Sequence, residues 1–196
     1  MNRLSHQGKA VVNSLTDKEV MENVRDGRVE RLAILFERYH VTLYNFFLRL
    51  TGNRSISEDL VQNVFFRILK YRHTYQGQSK FAIWMYQIAR NVHNDYLRKK
   101  KDEVPLDEQY EEVSSPELSP TEKMEQSQDI ALIREALSKL PLRKREILVL
   151  SRYHDLTHKE IAELFGCHIG TVKATIHRAT KELGKIYLRL SEGVVL

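Results

Sequence analysis

The chain has 196 residues, 42% of them hydrophobic and 29% charged, with a formal net charge of +5. That is an ordinary globular composition. A single cysteine, Cys167, excludes an internal disulfide framework and a multi-cysteine metal site. No uninterrupted apolar run approaches the ~20 residues of a bilayer-spanning helix, and the opening MNRLSHQGKAVVNS lacks the apolar core of a secretory signal. The expectation is therefore a cytoplasmic protein without membrane insertion. Eight Gly and four Pro are few for a turn-rich β-protein and favour helices.

Charge is unevenly distributed. Between Asp102 and Asp129 there are ten acids and one base, Lys123, a net of −9 that leaves +14 for the rest of the chain. Two basic blocks flank an acidic one.

The first fourteen residues carry no pattern and read as a disordered tail. A block over residues 15–101 follows. It opens on LTDKE, in which Thr16 and Glu19 match a capping box. In LAILFERYHVTLYNFFLRL, Leu32, Leu35, Phe36, Tyr39, Leu43, Phe46, Phe47 and Leu50 recur at three- and four-residue steps, the signature of an amphipathic helix. TGNRS breaks that pattern. SEDLVQNVFFRILKY predicts a second helix, capped by Ser55 or Ser57, with an apolar stripe of Leu60, Val61, Val64, Phe65, Ile68 and Leu69. Its polar face carries Glu58, Asp59, Gln62 and Asn63, with Phe66 among them. An apolar residue off the buried stripe is either a partner contact or packed under a neighbouring helix. After the polar loop RHTYQGQSK, FAIWMYQIARNVHNDYLRKKK predicts a third helix with Phe81, Trp84, Met85, Ile88, Ala89 and Val92 on one face. Its other face holds Gln87, Arg90, Asn91, Asn94 and Arg98. Basic groups hold phosphates, Asn hydrogen-bonds base edges, and the nearby rings of Tyr75 and Phe81 are candidates to stack on an unpaired base. Lys80 stands at the head of the same helix.

Residues 102–129 hold three of the four prolines and no sustained helical period, and read as an extended, flexible linker.

The C-terminal block, residues 130–190, predicts four helices. IALIREALSKL stops at Pro141, and LRKREILVLSRYHDL follows. THKEIAELFG has Thr157 and Glu160 as a second capping box and Gly166 as its stop. In GTVKATIHRATKEL, Val172, Ile176, Ala179 and Leu183 face inward, while Thr171, Lys173, Ala174, Thr175, His177, Arg178 and Lys181 face outward. Short helix, glycine turn and second helix, with the small Ala162 at the crossing, have helix-turn-helix spacing. Such a unit sets the first turns of its second helix against base edges in the major groove. Lys173 and Arg178 have the reach for phosphate or guanine, and Ala174 suits a thymine methyl. A plain helical bundle with a basic face is the competing reading.

No Gly-rich phosphate loop, nucleophile motif or metal-ligand cluster marks an enzyme, and no cofactor or metal is expected. His154 and His158 are four apart but straddle an expected helix start. Cys167, beside the reading helix, is open between a redox role and simple packing.

Three blocks together resemble a known family. SEDLVQNVFFRIL is similar to the clamp-binding helix of bacterial sigma factors of the extracytoplasmic-function (ECF) group, sigma-70 family. FAIWMYQIARNVHNDYLRKKK resembles their −10-reading and melting helix. ALSKLPLRKREILVLSRYHDLTHKEIAELFGCHIGTVKATIHRATKEL resembles their −35-reading domain. The resemblance covers about Leu15 to Leu190 in the family's order. It implies an all-α, two-domain, non-catalytic protein that binds core RNA polymerase and promoter DNA and is held by an anti-sigma factor. It implies polymerase contacts at Glu58, Asp59, Gln62 and Phe66. It places −10 contacts at Tyr75, Lys80, Gln87, Arg90, Asn91, Asn94 and Arg98, with Asn91 and the loop near Tyr75 walling a pocket for a flipped base. It places −35 contacts at Thr171, Lys173, Ala174, Thr175, His177, Arg178 and Lys181. It also implies a linker that threads a positively charged polymerase channel. A stand-alone helix-turn-helix regulator is the alternative, but it needs paired half-sites and has no use for the EDLVQ helix.

The chain departs from the family pattern in places. Ala174 replaces a usual Ser, and Thr175 and Thr180 replace usual Arg residues, so the salt dependence of DNA binding is expected to be flatter. His168 stands where Ser or Pro often caps the reading helix, and a less well fixed helix start is expected. Ser151 stands where a basic phosphate contact can occur.

Overall fold

The structure is a computed structural model and describes residues 15–103, 122–154 and 156–193. The expected N-terminal tail and residues 104–121 of the expected linker lie outside the described residues. Among the described residues the regular structure is entirely helical.

Helix α1, Asp17–Arg25, starts at the expected capping box. Thr16 Oγ1 accepts the Glu19 N–H at 3.3 Å, and Glu19 Oε2 accepts the Thr16 N–H at 2.7 Å. Two orphan amides are thereby satisfied, and Val20, Met21 and Val24 enter the core. A short 3₁₀ turn, Val29–Arg31, leads into α2, Leu32–Thr51. Arg38 of α2 pairs with Asp17 at 2.7 Å and the Tyr39 hydroxyl donates to the same carboxylate, which pins α1 to α2. Helix α2 ends at Gly52, whose φ of 68° is left-handed and open to glycine at no steric cost.

Helix α3, Arg54–Lys70, is capped by neither serine. Asn53 accepts the Ile56 N–H at 3.0 Å, and the helix starts one residue before Ser55. Ser57 lies inside it, buried, its hydroxyl donating to the Asn53 carbonyl at 2.5 Å. Asn is among the strongest N-cap residues because its side-chain oxygen reaches N3 from an extended backbone. A second 3₁₀ turn, Arg72–Thr74, precedes α4, Phe81–Glu103. Phe81, Met85, Ile88, Ala89 and Val92 are buried and Trp84 is half-buried.

Helix α5, Glu122–Ser138, begins inside the segment read as linker, and α4 runs two residues past the expected end of its block. Pro141 sets the start of α6, Leu142–Tyr153. Ile147 to Leu150 are all buried because α6 lies between α2 on one side and the last helix on another. Helix α7, His158–Phe165, repeats the capping box with Thr157 and Glu160 and stops at Gly166, φ 58°. Helix α8, Ile169–Ser191, completes the chain's described fold.

One continuous apolar cluster runs from Val20 to Ala179. The two blocks are packed together: α2 lies against α5 and α6, and α4 against α7. Sequence periodicity gave each block its own core, but not this contact between them.

Candidate nucleic-acid interface and partner surface

The helix-turn-helix forms as its caps and turn dictate. The Cys167 N–H returns to the Ala162 carbonyl at 3.0 Å across Gly166, closing the tight turn between α7 and α8. Val172, Ile176 and Ala179 form the buried face of α8. Thr171, Lys173, Ala174, His177, Arg178 and Lys181 are exposed, and Thr175 is half-buried at the edge of the same face. The expected weak helix start is overturned. His168 is a working cap, its Nδ1 accepting the Gly170 N–H at 3.1 Å. A Cβ on residue 170 would stand 3.2 Å from that nitrogen, so the missing side chain of Gly170 makes room for the imidazole.

Helix α4 presents a second polar surface. Gln87, Asn91, Asn94 and Arg98 are all exposed and follow one another at helical spacing. They form a strip of amides ending in a cation, suited to base edges and phosphate. Asp95 lies half-buried beside it and pairs with Arg67 at 2.8 Å and Arg98 at 3.0 Å.

Three expected members of that surface, Tyr75, Phe81 and Arg90, are elsewhere. Tyr75 is only 2% exposed, its ring edge-on to Trp84 at 5.3 Å and near Phe81 at 6.3 Å. Phe81 is equally buried. The loop before α4 folds back onto α1, with Gly77 in a left-handed conformation against Lys18 and Glu22, and this carries the ring inward. Neither ring faces a base here. Arg90 is not on the open strip. Its Nε donates to Glu146 Oε2 of α6 at 3.3 Å, its Nη1 to the Leu164 carbonyl at 3.3 Å, and its guanidinium lies 3.7 Å above the Phe165 ring. Lys80 is exposed, but its Nζ lies 2.6 Å from Glu160 Oε1 of α7.

The polar face of α3 forms one wall of a groove lined by Asp59, Gln62, Asn63, Phe66, Arg67, Lys70, Tyr71 and Asp95. Phe66 is 65% exposed, so it is not packed under a neighbouring helix. Glu58 is exposed on the same helix but does not line the groove. Tyr71 and Asp95 join it from beyond the helix. Sequence reading missed both, because Tyr71 ends the helix and Asp95 comes from α4. Only the packing of α3 on α4 brings them together.

Three ionisable groups are buried where the two blocks meet. His93 is pushed down to about 4 by burial, with Arg145 nearby adding to the effect. His154, edge-on to Phe46 and Tyr86 at 5.6 Å each, is pushed down to about 4 by burial and then by Arg49. Burial raises the Glu146 carboxyl above its usual range, against the pull of Arg90. Among the described residues no three His, Cys, Asp or Glu side chains are grouped to hold a metal ion, and no helix is long and apolar enough to cross a membrane.

A helix-turn-helix with an exposed basic face, a second polar helix on the same chain and a mostly polar groove carrying Phe66 and Tyr71 are the chemistry of a DNA-binding transcription protein. Residues 35–103 match the model described as Sigma-70 region 2, and residues 130–183 match Sigma-70, region 4; together the matches span more than half of the chain. The chain belongs to the sigma-70 family of RNA polymerase sigma factors, in its ECF group. It is similar to the ECF RNA polymerase sigma factor SigW of Bacillus subtilis strain 168, with 28% identity over 177 residues, 86% of this chain and 95% of that protein. Its fold is similar to that of CnrH, solved with the cytosolic domain of CnrY, at a TM-score of 0.67 and 19% identity over 87% of this chain and 96% of that one. It is also similar to the sigma factor RpoE of Bartonella quintana, solved with the anti-sigma factor NepR, at a TM-score of 0.63 and 25% identity over 77% of this chain and 92% of that one. The chain is thus a sigma factor acting with RNA polymerase in promoter recognition, and a stand-alone regulator is not favoured.

Proposed function

We propose that this sigma factor works in the cytoplasm as a non-catalytic subunit, with residues 15–101 engaging core polymerase and the −10 element and residues 130–190 engaging the −35 element. In this reading Asp59, Gln62 and Phe66, with Glu58 at the rim, contact the polymerase through the α3 groove. Thr171, Lys173, Ala174, Thr175, His177, Arg178 and Lys181 meet the major groove at −35. Gln87, Asn91, Asn94 and Arg98 meet the −10 strand, joined by Lys80 and Arg90 once these leave their carboxylate partners. Tyr75 serves by supporting the wall of that surface from beneath.

The observation that carries the reading is the exposure, on one chain, of two polar helical faces of DNA-reading chemistry beside a groove with a solvent-facing phenylalanine. Unstacking a −10 base costs about a few kcal/mol, and contacts in the bound state must offset it. Binding free energy shared with the polymerase supplies that without nucleotide hydrolysis. An anti-sigma factor is proposed as the regulatory partner, covering one or more of these faces.

The test is transcription by sigma-free core polymerase, reconstituted with this chain, on genomic DNA fragments. Defined start sites sharing a bipartite upstream motif are expected. Failure of the chain to co-migrate with core, with no transcripts, would overturn the assignment.

A further inference from the structure

We propose that His168 is itself a contact with the −35 duplex, its Nε2–H donating to a phosphate oxygen of the DNA backbone. The inference rests on the −35 assignment above and adds a residue to it.

The cap decides where the ring carries its hydrogen. The Gly170 N–H can only donate, so Nδ1 is the acceptor in the 3.1 Å bond between them. An imidazole that accepts at Nδ1 carries its hydrogen at Nε2, which leaves a neutral ring with one donor unspent by the cap. The residue is tied to the first turn of α8 at both ends. Its ring holds the Gly170 amide, and its carbonyl accepts the Thr171 N–H at 2.9 Å from an extended backbone, φ −72° and ψ 145°. His168 is exposed, as are Thr171 and Lys173 just beyond it.

Capping alone does not call for this residue. Serine, aspartate and asparagine are the preferred caps. The imidazole here needs a glycine two positions on, because a Cβ at residue 170 would stand 3.2 Å from Nδ1 and 3.8 Å from Cε1. Glycine is a poor helix former, so the pairing costs helix stability that a serine cap would not. What the imidazole adds is a donor on the far side of its ring, beyond the reach of a hydroxyl carried on Cβ.

The place of the residue names the acceptor. In a helix-turn-helix the first helix crosses the DNA backbone and the second enters the major groove. His168 ends the turn between α7 and α8, at the step from backbone to groove. Phosphate oxygens accept from neutral side-chain donors as well as from cations, and such contacts set the register of the protein on the duplex. A neutral donor releases no counterion, which separates this contact from the one expected of Arg178.

The experiment uses the full chain bound to core polymerase, with a promoter fragment recovered from the transcription mapping. His168→Ser keeps a strong cap and removes the outer donor. It is expected to match the parent in thermal melts and to bind the fragment roughly five- to tenfold more weakly. The slope of log affinity against log salt is expected to stay unchanged. Gly170→Ala, which displaces the ring without removing it, is expected to show a similar loss. Fragments that each carry one uncharged methylphosphonate in the −35 half then locate the contact. At one phosphate the parent and both variants are expected to bind equally. Equal affinity of His168→Ser and the parent for the unmodified fragment overturns the proposal, as does a deficit that persists on every methylphosphonate fragment. If the parent holoenzyme binds equally well when the −35 half is scrambled, the −35 assignment fails and this contact falls with it.

Discussion

His168 and Gly170 are matched to each other. The imidazole Nδ1 accepts the Gly170 N–H at 3.1 Å, and a Cβ at residue 170 would stand 3.2 Å from that same nitrogen. The start of the reading helix is thereby held by a residue type that sequence patterns would not select as a cap, made possible by a glycine two positions on. Replacing the cap removes a satisfied amide, so His168→Ala is expected to lower stability by ~1 kcal/mol, while His168→Asn, itself a strong cap, stays close to the parent. Thermal melts of the two variants decide it; equal melting temperatures for His168→Ala and the parent would show that the cap contributes nothing.

Acid should destabilise this protein well above the usual carboxylate range. His93 and His154 are 1% and 8% exposed and both titrate at about 4 when folded. The unfolded chain binds their protons near pH 6.5. Between those values the unfolded state holds more protons, so stability falls as pH drops from about 6.5 towards 4, and it levels off below the folded value. Each histidine contributes at most about 3 kcal/mol to that loss. Glu146, raised by burial, works in the opposite sense and offsets part of it. Denaturant melts across this range are expected to show the slope, and His154→Phe, which keeps a ring between Phe46 and Tyr86, should flatten it. An unchanged slope in His154→Phe would remove that histidine from the account.

Phe66 is exposed on the free chain, so truncating it should leave the fold alone. Phe66→Ala is expected to change the melting temperature by no more than about 1–2 °C. At the centre of a protein interface such a truncation costs about 2 kcal/mol, roughly thirtyfold in affinity. Titration of labelled core polymerase with parent and variant measures this directly. Equal affinity would move the polymerase contact away from the α3 groove.

The reading helix can be tested through salt. Arg178 is exposed on α8 and is expected to neutralise a phosphate. Arg178→Ala should then weaken −35 duplex binding at every salt concentration and reduce the slope of log affinity against log salt by about 0.9. A variant that changes preference among duplex sequences with the slope intact would instead assign Arg178 to a base edge.

The local features were legible because they depend on residues three or four apart. Both capping boxes, the Gly166 stop, the buried stripe of Val172, Ile176 and Ala179, and the outward basic face of α8 all follow from helical geometry alone. The cap of α3 was misread because three polar residues within five positions, Asn53, Ser55 and Ser57, all qualify, and only the backbone conformation at Asn53 decides between them. Tyr75 was misread because a polar loop gives no periodicity, and burial of its ring depends on where that loop folds back.

By itself the amino-acid order determined an all-helical chain with a helix-turn-helix near its end, a polar helix of DNA-reading composition before it, and an aromatic residue off the buried stripe of α3. These are statements about one helix at a time, and helical periodicity expresses them directly. Tertiary structure alone decided which polar side chains are free. Arg90 and Lys80 read as open cations, yet their partners Glu146 and Glu160 lie 56 and 80 positions further along the chain. Asp95 joins the α3 groove only because α4 packs beside α3. Contacts at such separation arise from the docking of preformed apolar faces, and nothing in the local pattern of either helix specifies which charge will meet which.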